Sequence, residues 1–265
     1  MKEIPLNDLL KAGVHFGHQM SRWHPKMRPF IFTSRAGIYI VDLEKTAVQL
    51  KKAQQFARDR AAAGGNILFV GTKRQAKPII QEVAVRLGMP YVIERWLGGT
   101  FTNFPTISRM TKRFTQLKEE RARGEFEKYT KKEQLNFDDE IKRLEKMVGG
   151  IERMNRLPDA IFVVDVKQEK TAIREAQKMK VPIIAMVDTN VSPDGIAHPI
   201  PANDDASKSI HIIANAIAEA VDEGKSAWEK SAAAKAETPV ETPAAPIVAE
   251  VNTSEVEPKS EEVVA

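Results

Sequence analysis

Ile67-Leu68-Phe69-Val70-Gly71-Thr72-Lys73-Arg74-Gln75 sets the architecture. Four consecutive apolar residues run into a glycine and then into a helical pattern. A continuous apolar run, rather than an alternating one, suits a strand buried on both faces of a parallel sheet. Ala160-Ile161-Phe162-Val163-Val164 and Ile183-Ile184-Ala185-Met186-Val187 have the same character. Helical periodicity covers about residues 42–62, 73–87, 168–179 and 205–222. Gly64-Gly65 and Gly88 stand where helices stop, and Pro158 and Pro182 where strands start. Strand and helix alternate, which predicts an α/β domain with a doubly wound parallel sheet. Upstream, Phe30-Ile31-Phe32-Thr33 and Gly37-Ile38-Tyr39-Ile40-Val41 flank Ser34-Arg35-Ala36 and predict a small antiparallel hairpin.

One segment breaks the alternation. Between about residues 105 and 155 there is no strand pattern. Ile107, Met110, Phe114 and Leu117 form one apolar stripe at heptad-like steps. Phe137, Ile141, Leu144, Val148 and Ile151 form a second, and Gly124 lies in the polar turn between them. The pattern predicts two antiparallel helices of the coiled-coil kind inserted between strands. The chain thus divides into an N-terminal strap and hairpin (1–41), a sheet domain (42–104 and 156–225), the inserted helical hairpin (105–155) and a tail (226–265). A short helix reaching about Lys235 precedes the tail proper, whose Ala, Glu, Thr and Pro content predicts disorder.

Composition narrows the function. The 265 residues include no cysteine, which excludes disulfide scaffolds, thiolate metal sites and a thiol nucleophile. No run reaches the roughly 18 apolar residues of a membrane span. The opening residues lack the apolar segment of a signal peptide. Residues 231–265 hold two Lys and seven Glu, a balance of −5, which leaves 38 basic and 29 acidic residues and +9 on the remainder. A body of that charge fits either an anionic partner or an ordinary soluble surface.

Four stretches carry candidate chemistry. From Gly13 to Arg35, cations (Arg22, Lys26, Arg28, Arg35) interleave with aromatics such as Trp23. Cations neutralise phosphates and aromatic faces stack on unpaired bases, so the stretch reads as an RNA contact; the competing reading is a strap covering the core. His15, His18 and His24 lie here without an acidic neighbour in sequence, which argues against a metal. Lys73 and Arg74 open a helix after a strand, a place for a phosphate. The segment lacks both glycine-rich nucleotide signatures, so a plain βα turn competes with RNA contact. Glu94-Arg95-Trp96-Leu97-Gly98-Gly99 leads to Asn103, Arg109, Lys112 and Arg113, further contact candidates, unless the aromatics only anchor the hairpin. Asp188, Asp204 and Asp205 fall at the carboxyl ends of strands, the ligand side of such sheets. They suit a divalent cation, magnesium or zinc, or an acid–base pair of an enzyme on this kind of sheet; alternatively Asp204 only caps the last helix.

Gly13-Val14-His15-Phe16-Gly17-His18, Trp23-His24-Pro25-Lys26-Met27, Phe69-Val70-Gly71-Thr72-Lys73, Arg95-Trp96-Leu97-Gly98-Gly99, Leu157-Pro158-Asp159-Ala160, Val187-Asp188-Thr189-Asn190 and Pro201-Ala202-Asn203-Asp204-Asp205 occur in that order. Together they resemble the bacterial form of the small-subunit ribosomal protein family S-two, over about residues 5–225. The resemblance implies a flavodoxin-like sheet with a protruding coiled-coil hairpin, lodged on small-subunit ribosomal RNA among neighbouring small-subunit proteins. It implies help in attaching the mRNA-binding protein S-one, a cytoplasmic, ribosomal location, no catalysis and no required cofactor.

Overall fold

The computed structural model describes residues 4–236, with side chains through Ser231. A short helix α1 (Leu6–Lys11) leads into β1 (Phe16–Gln19), two 3-10 turns, β2 (Ile31–Arg35) and β3 (Ile38–Val41). These strands form an antiparallel sheet in the order β1-β3-β2. The hairpin turn is Ala36-Gly37, one residue later than the sequence suggests. Both residues have positive φ, 50° and 76°. A two-residue hairpin loop of this hand needs that conformation, and glycine adopts it without steric cost. The third strand, β1, escapes sequence reading because Phe-Gly-His-Gln has no alternation to reveal it.

The main domain follows as α2 (Leu43–Ala62), β4 (Ile67–Val70), α3 (Lys77–Leu87) and β5 (Tyr91–Val92). Next come α4 (Phe104–Ala122), α5 (Lys131–Val148), β6 (Ala160–Val164), α6 (Lys170–Lys178), β7 (Ile183–Val187), β8 (His198–Pro201) and α7 (Ser207–Ala236). Asp42 caps α2 by accepting from the Glu44 and Lys45 amides. Lys73–Ala76, expected as helix, form a turn ahead of α3. Helix α7 runs past residue 225 to Ala236, through the Ala-rich stretch whose helix propensity is high. The remainder of the expected disordered tail lies outside the described residues.

The five strands pair in the order β5-β4-β6-β7-β8, every pair parallel. Counted from β4, this is the 2-1-3-4-5 order of one common doubly wound sheet. Strand residues alternate between two cores. Phe69, Phe162 and Met186 face α2, α3 and α7, while Leu68, Ile161 and Val187 face α4, α5 and α6. Burial on both faces is why the strands are continuously apolar. The edge strands were not legible: β5 has two residues, and β8 contains Pro199 and Pro201, which normally argue against a strand.

Helices α4 and α5 bury Ile107, Phe114 and Leu117 against Ile141, Leu144 and Val148. Thr111 is buried where Met110 was expected, and Met110 is half-buried. Phe126 stacks on Phe137 at 4.8 Å near the connecting turn. Arg121–Asp138 and Lys118–Glu152 pairs, at 3.3 and 3.0 Å, tie the helical segment together outside that seam. Thr130 and Glu133 form a reciprocal capping box that starts α5.

Candidate nucleic-acid interface and carboxylate cluster

The loops leaving β4, β6, β7 and β8 all reach the carboxyl edge of the sheet, as parallel pairing requires. There Lys73 meets the carboxylates of Asp204 (2.8 Å), Asp205 (2.6 Å) and Asp165 (3.2 Å). His18, from β1, closes the group: its Nδ1 lies 3.1 Å from Asp188 and its Nε2 3.5 Å from Asp205. The backbone amide of His18 donates to Thr189 Oγ1, which locks β1 onto the β7 loop. Thr189, through its amide and hydroxyl, donates to Asp188. Behind Lys73, Glu169 accepts from the amide and hydroxyl of Thr72.

The cluster holds more carboxylates than cations, and its titration reflects that. Burial, together with the charges of Asp165 and Asp188, pushes the Asp204 carboxyl up to about 7, with Lys73 opposing. Burial alone would depress the Lys73 ammonium, but its hydrogen bonds to Asp204 and Asp205 hold it above its ordinary value. The hydrogen bond to Asp188 outweighs burial and raises His18. Burial raises Glu169.

Asp204 does not cap the last helix. Asn203 closes the turn before α7, its Oδ1 accepting from the Asp205 and Ala206 amides. Asp204 is thereby turned inward, 1% exposed, with Oδ2 buried and lacking a hydrogen-bond partner. One ligand atom each from His18, Asp188, Asp204 and Asp205 lie within 4.8 Å of one another. Three carboxylates and an imidazole, with an orphaned oxygen among them, fit a divalent cation; the imidazole suits zinc better than magnesium.

Sequence reasoning brought Asp188, Asp204 and Asp205 together but left out His18, Lys73 and Asp165. The acidic partners of His18 arrive from positions 188 and 205, which no local spacing could show. The only local sign at Asp165 is its place directly after β6, where it takes a φ of 69°.

The candidate RNA contacts separate into two kinds. Arg22, Arg28, Arg35, Arg74, Arg95 and Lys112 are exposed, and no ion pair engages them among the described residues. The others are partly engaged. Lys26 is exposed but pairs with Asp194, and Arg113 reaches Glu140 at 3.5 Å. Arg109 donates to the Pro105 carbonyl of its own helix, and Asn103 accepts from the Thr106 hydroxyl. Lys73 is enclosed, with 15% side-chain exposure. Trp23 is half-buried against Tyr39, ring centroids 5.2 Å apart.

The aromatic loop before α4 is structural at its centre. Trp96 and Phe101 are buried edge to face at 5.0 Å. Beneath them Glu175, 8% exposed, accepts from Trp96 Nε1, the amides of Gly99, Phe101 and Thr102, and the Thr102 hydroxyl. The sequence gives no sign of this anchor, which lies in α6 and reads there as one more helix-surface glutamate.

The geometry defines a basic α/β protein with exposed cations beside a buried carboxylate cluster, and comparison with known proteins supplies the family. A family model described as Ribosomal protein S2 matches residues 9–224, and the chain belongs to that family. It is 53% identical over 226 residues to the small ribosomal subunit protein uS2 of Roseiflexus castenholzii, covering 85% of this chain and 86% of the relative. It is 51% identical over 225 residues to the protein of the same name from Coprothermobacter proteolyticus, covering 85% and 84%. Membership makes this a ribosomal structural protein with a role in translation rather than an enzyme. No helix among the described residues is long and apolar enough to cross a membrane.

Proposed function

We propose that the chain is held on small-subunit ribosomal RNA chiefly through the strap between β1 and β3. The observation that carries this is the set of exposed arginines Arg22, Arg28 and Arg35, which no carboxylate engages among the described residues. The strap that presents them is fixed: Met27 is fully buried, and the His24 amide donates to the Thr189 carbonyl at 2.8 Å. Rigid presentation lowers the ordering cost of binding a phosphate backbone. Arg95 and Lys112 extend the contact toward the helical insertion. That insertion acts as a coiled-coil arm toward neighbouring small-subunit proteins or RNA; its buried seam and charged exterior support the reading. Attachment of the mRNA-binding protein S-one, which the family resemblance implies, is supported by the apolar rings that the small sheet leaves outside, Phe32 at 74% and Phe16 at 48% exposure. The carboxylate cluster takes a divalent cation between His18, Asp188, Asp204 and Asp205, which offsets its excess negative charge and fixes β1 to the sheet.

Sucrose-gradient fractionation of a lysate at low and high salt tests the main reading. Co-migration with the small subunit, weakened by salt, is expected. Migration as a free protein at every salt, with ribosomal markers intact, overturns it. Replacing Arg22, Arg28 and Arg35 by Ala should weaken incorporation without unfolding the sheet.

A further inference from the structure

We propose that the outer face of α6 is a second phosphate-binding surface, one that grips the backbone of an RNA duplex. Lys170, Arg174 and Lys178 recur at four-residue steps and share one face of α6, and exposed Lys167 lies in the turn three residues before its first residue. All four are exposed, as is Lys180 just beyond, and no hydrogen bond or ion pair engages their side chains among the described residues. In sequence this segment looks mixed, because Asp165, Glu169 and Glu175 are interspersed with the cations. The fold removes all three acids from the surface. Asp165 faces Lys73, Glu169 accepts from Thr72, and Glu175 accepts from the Trp96–Thr102 loop. The charges this segment leaves to solvent are all cationic.

Helix stability does not account for this. Like charges at these spacings repel, and Lys170 sits in the first turn, at the positive end of the helix dipole, with Lys167 just ahead of it. Only Lys178, in the last turn, is placed where the dipole favours it. A row of cations on a rigid helix matches the regular phosphates of a duplex, which is bound by shape and charge rather than by base identity. The surface is also continuous in construction with contacts already proposed. Glu175 ties the loop carrying Arg95 and leading to Asn103 onto this helix. The nearby Asp194 is neutralised by Lys26, and its neighbour Gly195 accepts from Gln177 of α6. The inference rests on the RNA reading above, extending it to a second face.

The test uses the full chain and deproteinised small-subunit ribosomal RNA, with binding measured over a salt series. The variant K167Q/K170Q/R174Q/K178Q should bind with a log–log salt slope shallower by roughly 0.7–0.9 per lost contact, about 3 in all. The exchange variant K167R/K170R/R174K/K178R should keep the wild-type slope. Circular dichroism checks that each variant is folded, and the smaller K170Q/R174Q change, expected to lose about half as much slope, stands in if the quadruple variant is not. An unchanged slope in the Gln variants, with binding lost in R22A/R28A/R35A, overturns the α6 surface and leaves the strap reading standing. Salt-independent or absent binding by the wild type overturns both. Unchanged RNA binding with loss of an acidic protein partner assigns the face to protein instead and likewise overturns the proposal.

Discussion

Replacing Glu175 by Ala removes one acceptor group and strands several donors. The Trp96 indole N–H and the amides of Gly99, Phe101 and Thr102 all point at its two oxygens, at 2.8–3.2 Å. A buried donor left unsatisfied costs about 1–3 kcal/mol, and hydrogen bonds to a charged acceptor are at the strong end. Four such losses do not add fully, because the loop relaxes and water enters. The expected cost is about 3–5 kcal/mol, the range for breaking a buried charged network. Gln is a poor rescue: its amide nitrogen must face one of the two donor pairs, so E175Q should lose about 2 kcal/mol or more. Burial alone would raise this carboxyl, but the hydrogen bonds from Gly99, Phe101, Trp96 and Thr102 hold it below its ordinary 4.5. The stability it supplies is therefore complete above that value and drains away as pH falls through the depressed folded pKa. Urea unfolding followed by tryptophan fluorescence, at neutral pH and in an acid series, measures both effects. A loss under about 1 kcal/mol for E175A, or an acid profile identical to wild type, would refute the anchoring role.

Other outcomes follow from the same geometry. Phe162→Ala, in the sheet centre, should cost about 3–5 kcal/mol in denaturant unfolding. Gly224→Ala drives a Cβ into the Arg58 carbonyl of α2, so it should destabilise by about 1–3 kcal/mol although Ala favours helix; a neutral or stabilising result would contradict the close α2–α7 contact. Asp42→Ala should cost about 0.5–2 kcal/mol through the lost cap of α2. In calorimetric titration, His18→Ala should weaken zinc binding by more than about tenfold, the effect that outer-shell changes alone can reach; equal affinity would take the imidazole out of the cation site.

The central strands were legible because burial on both faces leaves an unbroken apolar signature. That helices rather than strands fill the stretch between β5 and β6 was legible because its apolar residues recur at helical spacing. What escaped is what depends on meetings across the chain. His18 gave no hint that Asp188 and Asp205 await it, and Lys73, read as a surface cation, is claimed by three carboxylates from two other loops. Glu175 looks like a solvated helix residue until the loop it holds is in place. The edge strand β8 was hidden by its own prolines, and β5 by its length.

Those prolines have a consequence before assembly. In β8 the Ala202 amide points inward to the Val187 carbonyl, so positions 199 and 201 point away from the sheet. Both are proline and offer no outward N–H. The outward carbonyl of Pro201 is taken by the Thr46 hydroxyl at 2.6 Å. At the opposite border, β5 is too short to template anything. A freshly made copy waiting for its place in a subunit therefore presents no open ladder at either border of this sheet to another waiting copy, and can accumulate without stacking edge to edge.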